Sequence, residues 1–211
     1  MGHVVLLGDS IFDNTRYVPG GPAVVEQVRR ALPGGWRATL LAVDGSVAAD
    51  VAGQLDRLPA DATHLVVSAG GNDALGHSGT ILFGTADSFA EVLTRLADIR
   101  EEFQRDYRAM LRAVLARGLP TVVCTVYDAI PGLGPAEHAG LCLFNDVILR
   151  EAFRAGVPVI DLRLVCTEAT DYAQSSPIEP SVDGGGKIAR AVSRAIDGLG
   201  GHRRQASVVF T

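Results

Sequence analysis

Cysteine is scarce in this chain and scattered where it occurs: Cys124, Cys142 and Cys166, with no Cys-x-x-Cys pair and no Cys/His ligand spacing. That argues against a disulfide scaffold or a zinc site, and the odd count reads as reduced thiols in a reducing compartment. No apolar run approaches the ~20 residues needed to span a bilayer. The opening residues carry no basic leader, so a cytoplasmic protein is expected. Positive charge is not in excess either. With 19 Lys and Arg against 24 Asp and Glu the formal charge is −5, which gives no reason to expect nucleic acid or an anionic membrane as partner. Internal repeats, low-complexity tracts and linkers are absent, so 211 residues read as one domain, 1–199, with a short tail, 200–211, that is basic at His202-Arg203-Arg204. Two nucleotide motifs are missing as well. Asp183-Gly184-Gly185-Gly186-Lys187 lacks the first glycine and the final Ser/Thr of a Walker loop, and Gly8-x-Ser10-x-x-Asp13 is not GxGxxG.

What is present is a regular alternation of short apolar runs and longer amphipathic stretches, in a chain that is 47% hydrophobic. Residues 3–7, 37–43, 64–68, 121–126 and 157–162 read as strands, the first of them apolar throughout and so buried on both faces. Helices are expected at 22–32, 47–58, 87–117, 136–155 and 184–199, with Ser46 as N-cap of the second. Residues 74–86 read as turn-rich and 167–183 as irregular. The stretch 87–117 carries Phe89, Val92, Leu96, Ile99, Phe103, Tyr107, Met110, Leu111 and Val114 at helical spacing. They read chiefly as core, or else as an exposed stripe for a partner subunit in a homo-oligomer. Repeated strand–helix alternation predicts an α/β fold: a flavodoxin-like three-layer domain with a central parallel sheet of about five strands.

In such sheets ligands bind beyond the carboxyl ends of the strands. Three polar clusters fall there: Gly8-Asp9-Ser10 after the first strand, Asp44-Gly45-Ser46 after the second, and Gly70-Gly71-Asn72-Asp73 after the third. In order and spacing these blocks resemble those of the SGNH (GDSL-like) hydrolases, from residue 4 to about 195. The resemblance implies Ser10 as nucleophile of an ester hydrolase, with an oxyanion hole made by the backbone N–H groups of Ser10 and Gly45 and the side chain of Asn72. It also implies short acyl esters, acylated sugars or small lipids as substrates, and no metal or organic cofactor. The residue types suit those roles: a glycine lets the backbone approach a substrate oxygen, and an asparagine offers an uncharged donor. Asp9, Asp13, Asn14, Asp73 and His77 are candidates for contacts to substrate, His77 by way of a mobile 74–86 loop. Asp13-Asn14 also fits a simple Asx-turn.

One block departs from the pattern. Where the family keeps Asp-x-x-His, this chain has Ser176-Pro177-Ile178-Glu179, followed by Pro180-Ser181. Glu179 stands at the histidine position and Ser176 at the aspartate position. A carboxyl has an ordinary pKa of ~4.3, a poor match to a base at neutral pH unless burial raises it. A Ser10–Glu179 dyad is therefore one expectation. The alternatives are a silent binding or regulatory module, with Glu179 capping the last helix or pairing with an arginine, and an acyltransferase.

Overall fold

The computed structural model describes residues 1–199 and a strand at Val209–Phe210. In chain order the strands are β1 (His3–Gly8), β2 (Arg37–Leu40), β3 (His64–Ser68), β4 (Thr121–Cys124), β5 (Val159–Ile160), β6 (Tyr172–Ala173), β7 (Ser176–Pro180) and β8 (Val209–Phe210). The α-helices are α1 (Val24–Ala31), α2 (Val51–Gln54), α3 (Gly71–Phe83), α4 (Phe89–Leu115), α5 (Pro135–Ala155), α6 (Leu162–Val165) and α7 (Val182–Leu199). The main sheet runs β2-β1-β3-β4-β5-β8, all parallel, while β6 and β7 form a separate antiparallel pair.

Period-two alternation divides the core. Val4, Leu6, Val66 and Val122 face one layer, where they meet Val24 and Val28 of α1 and Ile188 and Val192 of α7. Val5, Leu7, Leu65, Val67 and Val123 face the other, against Phe103, Tyr107 and Met110 of α4 and Phe144 and Ile148 of α5. The expected flavodoxin-like α/β domain is therefore present, with β8 adding a sixth strand at the edge. The chain leaves β1 toward β2 on one side and returns to β3 on the other. This order places a topological switch point between β1 and β3, where a crevice opens at the carboxyl ends of the strands.

Five local expectations are corrected. Residues 74–86, read as turn-rich because of Gly76, Gly79 and Gly84, are mostly α3, a helix without one fully buried residue that lies against α5. Residues 47–58 do not form one helix but a 3₁₀ turn, the four-residue α2 and a second 3₁₀ turn. Ser46 does not cap it: Val47 holds that position, and Asp50 accepts the Val47 N–H at 2.9 Å. Residues 167–183 contain the β6–β7 hairpin. The apolar stripe of 87–117 also splits. Ile99 onward is core, whereas Phe89, Val92 and Leu93 are exposed.

Candidate active site

β1 ends in Gly8, whose φ of 119° and close approach to Ser68 suit glycine alone: a Cβ there would stand 1.6 Å from the Ser68 carbonyl oxygen. The chain then turns, with Asp9 donating its N–H to that same carbonyl at 3.1 Å, and delivers Ser10 to the crevice. Gln54 fixes this junction from the side. Its amide accepts the Gly8 N–H and donates to the Gly8 carbonyl, both at 2.8 Å, and reaches Ser46 Oγ at 3.3 Å. Nothing in the reading of the sequence singled out Gln54. The cue was a lone amide on an otherwise apolar helix face, too weak to stand out.

The turn after β2 lies beside it, since Val43 donates to the Gly8 carbonyl at 3.0 Å. Gly45, with φ 84°, stands exposed at the rim and outside the walls of the cleft described below. Asn72, in the first turn of α3, donates one amide hydrogen to the Ser46 carbonyl at 2.9 Å, which ties the third block to the second. Among the described residues no acceptor takes the N–H of Ser10 or of Gly45.

Glu179 reaches the same place from β7. It is 4% exposed, and its strand is clamped on both sides of it. Tyr127 donates its hydroxyl to the Ile178 carbonyl at 2.7 Å, and Asn14 donates to the Pro180 carbonyl at 3.0 Å. Among the described residues it neither caps the last helix nor pairs with an arginine. Burial pushes its carboxyl up to about 7, the Ser10 side chain opposes that rise by hydrogen bonding, and the charge of Asp44 adds to it. Its Oε2 has no hydrogen-bond partner among the described residues. Asp9 is buried beside it and pushed further, to about 8, by burial first and then by the charges of Glu179 and Asp73, against the Ile11 N–H that donates to it at 3.1 Å.

The remaining sequence candidates stand elsewhere. Asn14 is fully buried with its amide committed at both ends, to Pro180 and to the Val24 N–H at 2.8 Å. Asp13 accepts the Asp44 N–H at 3.0 Å, and Asp73 accepts the Ala48 N–H at 3.0 Å, so both carboxylates hold loops. Asp73 sits at about 6, raised by burial. His77 is carried by α3 rather than by a mobile loop, and its ring lies 6.1 Å from that of Phe144. None of these four lines the cleft.

Asp9, Ser10, Asn72 and Glu179 do line it. The cleft they share is open at its mouth. Beyond those four its walls are mostly apolar: Leu75, Ile81 and Leu82 of α3, Leu141 and Phe144 of α5, and Val126, Ile130 and Leu133 of the loop between β4 and α5. Sequence patterns locate the polar end of this cleft but not its apolar wall, which is α3, a helix formed where turns are expected.

Among curated proteins no sequence matches this chain significantly. Solved structures do. A lipase from a goat rumen metagenome superposes with a TM-score of 0.73 at 16% identity, over 97% of this chain and 100% of its own. A lipase/acylhydrolase from Enterococcus faecalis gives 0.64 at 17%, over 94% and 96%. An acetylxylan esterase from Geobacillus stearothermophilus, solved as a catalytic mutant, gives 0.65 at 17%, over 93% and 95%. At such identities these likenesses speak for the fold. The sequence model of the GDSL-like lipase/acylhydrolase family matches residues 6–184, and with most of its length so covered the chain belongs to that family of hydrolases.

Proposed function

We propose that the protein is a serine esterase in which Ser10 attacks the acyl carbonyl and Glu179, rather than a histidine, takes the serine proton. The observation that carries this reading is the Glu179 carboxyl itself. It is buried against Ser10 with no cation among the described residues to hold it as a carboxylate, and so it is raised to about 7. A base is most useful when its pKa lies near the working pH, and an unassisted glutamate falls short of that by more than two units. Asp9, higher still, keeps its proton at neutral pH, so that the two carboxyls do not both carry charge and Glu179 is the one free to accept.

In acylation, Ser10 Oγ bonds to the carbonyl carbon as its proton passes to Glu179. The N–H groups of Ser10 and Gly45 and the second amide hydrogen of Asn72 receive the oxyanion. Collapse expels the alcohol, which takes the proton back from Glu179 and leaves an acyl-Ser10 ester. Water then repeats the sequence and frees the acid. The substrate class is a small acyl ester, in keeping with a family of lipases and esterases. No helix among the described residues is long and apolar enough to cross a membrane, and the three free cysteines, two of them buried, favour a reducing cytoplasmic setting.

The test is hydrolysis of a chromogenic butyryl ester by wild type and by Ser10→Ala. Wild type should turn over and Ser10→Ala should fall by at least about 10⁴-fold. Equal rates from two folded proteins would remove Ser10 from the reaction.

A further inference from the structure

We propose that Arg16, Tyr17 and Asp44, at the rim outside the apolar cleft, form a subsite for the alcohol half of the ester, and that this alcohol carries neighbouring hydroxyls, as glycerol or a sugar does. The inference rests on the esterase reading, in which the departing oxygen takes its proton from Glu179.

Two sets of contacts bring this cluster to the reacting groups. Asp44 and Gly45 are the central pair of one turn, closed by the Ser46 N–H on the Val43 carbonyl at 3.1 Å. The Asp44 carboxyl and the N–H that the proposed mechanism gives to the oxyanion therefore belong to adjacent residues. Asp13 fixes the turn by accepting the Asp44 N–H at 3.0 Å. From the other side, the 3₁₀ turn Thr15–Tyr17 lies against β7, the strand that carries Glu179. The Tyr17 carbonyl accepts the Ser175 hydroxyl at 3.4 Å, and the Tyr17 hydroxyl reaches across to donate to Asp44 Oδ2 at 3.0 Å. The charges register this closeness. Asp44 adds to the rise of the Glu179 carboxyl, and Glu179 adds to that of the Tyr17 phenol, which burial and the bond to Asp44 raise first. An alcohol that leaves by way of Glu179 thus has Tyr17 and Asp44 beside its path.

The chemistry of the cluster says which alcohol. Arg16 donates to the same Oδ2 at 3.2 Å, and its guanidinium carbon lies 5.6 Å from the centre of the Tyr17 ring. Both donors converge on one oxygen. Asp44 Oδ1, and Nε and Nη2 of Arg16, have no hydrogen-bond partner among the described residues. A carboxylate next to an oxyanion hole opposes the charge that develops there. The Arg16 side chain is largely exposed, and an ion pair of that kind adds little to stability. Holding the scaffold together does not account for such an arrangement, whereas recognition does. What the cluster leaves open is one acceptor beside two donors. Neighbouring hydroxyls match it, one donating to Oδ1 and the other accepting from Arg16. An ammonium would meet the charge of Arg16 and a phosphate that of Asp44, so a neutral polyol is the class that meets no opposing charge.

The test has two arms that separate this inference from the esterase reading. In the first, wild type is assayed on ethyl butyrate, glyceryl monobutyrate and butyrylcholine, which share one acyl half. Each kcat/KM is divided by the rate constant for hydroxide hydrolysis of the same ester, which removes differences in leaving-group reactivity. The glyceryl ester should exceed the ethyl ester at least about tenfold, the equivalent of one charge-assisted hydrogen bond, and butyrylcholine should gain nothing. Arg16→Ala and Asp44→Asn should each bring the glyceryl-to-ethyl ratio down to about threefold or less. In the second arm, Ser10→Ala is titrated by calorimetry with the glyceryl and ethyl esters. The glyceryl ester should bind about tenfold more tightly, and Arg16→Ala in the same background should abolish that difference. A wild-type ratio near one, a ratio that neither variant lowers, or a preference for butyrylcholine overturns the subsite and leaves the esterase standing. Preferential binding of the glyceryl ester by a protein inert on every ester overturns the esterase and keeps the subsite.

Discussion

Two glutamates in this protein are equally hidden, each 4% exposed, and their chemistry could hardly differ more. Glu151, on α5, is gripped by Arg108 through two bonds of 2.8 Å, by Gln104 at 2.6 Å and by Arg154 at 2.8 Å. The Arg108 bonds first, helped by the others, bring its carboxyl down to about 2. Glu179 has no such company. Burial raises it to about 7, and one of its oxygens goes without a partner. Burial by itself therefore says nothing about what a carboxylate does: the donors around it decide. One glutamate is locked as an anion and fastens α4 to α5. The other, raised toward neutrality, is the one the proposed mechanism uses to exchange a proton, at a cost in stability of the kind that functional sites carry.

The contrast can be broken at either residue. The largest effect is expected at Glu179→Gln, which should lower kcat on a short ester by about 10³-fold. The same variant should be more stable than wild type at pH 8 by about 2 kcal/mol, measured by urea denaturation, because an unpaired buried charge is gone. Full activity in that variant would move the base elsewhere. Next in size is pH. Below about pH 7 the rate kcat/KM should fall about tenfold per unit as Glu179 gains its proton, with a plateau above.

Stability should show both glutamates with opposite signs. Glu179, raised in the folded state, contributes stability that is complete below its unfolded pKa of about 4.5 and is lost as pH rises toward about 7, on the order of 3 kcal/mol. Glu151, depressed in the folded state, contributes above about pH 4.5 and loses that contribution as pH falls toward 2. Comparing wild type with each variant from pH 3 to 8 separates the two. The smallest effect belongs to Glu151→Ala: about 1–2 kcal/mol of stability, reduced because Arg108 and Arg154 are substantially exposed, and no change in kcat/KM. A change in turnover there would mean that the two sites communicate.

Much of this was legible in the sequence. Strand–helix alternation is carried by local apolar spacing, and the blocks at Ser10, Gly45 and Asn72 fall just after the strands that this alternation marks. The rest depends on contacts between distant residues. α3 begins at Gly71, contains Gly76 and Gly79 in its interior and buries none of its residues fully, so its own sequence argues against a helix. It forms where α5 gives it a surface to lie on. Residues 48–57 have helical spacing, yet Gln54 is drawn to the backbone of Gly8, and Ala48 to Asp73, so the segment is bent into short turns. Asn14 and Asp13 read as residues near a cleft because they follow Ser10 closely. In space one clamps β7 and the other holds the Asp44 loop, which no local pattern announces.

That clamp on β7 has a consequence for the order in which the protein is made. Asn14 and Pro180 lie 166 residues apart, and closing so long a loop comes late in folding. A ribosome adds ~5–20 residues per second, so the interval between synthesis of Ser10 and of Glu179 is roughly ten to thirty seconds. On the proposed mechanism, the growing chain throughout that interval has its nucleophile but no base. On that same mechanism unfinished chains would leave the esters around them intact, and reactivity would come only to molecules whose last hairpin has been made and docked.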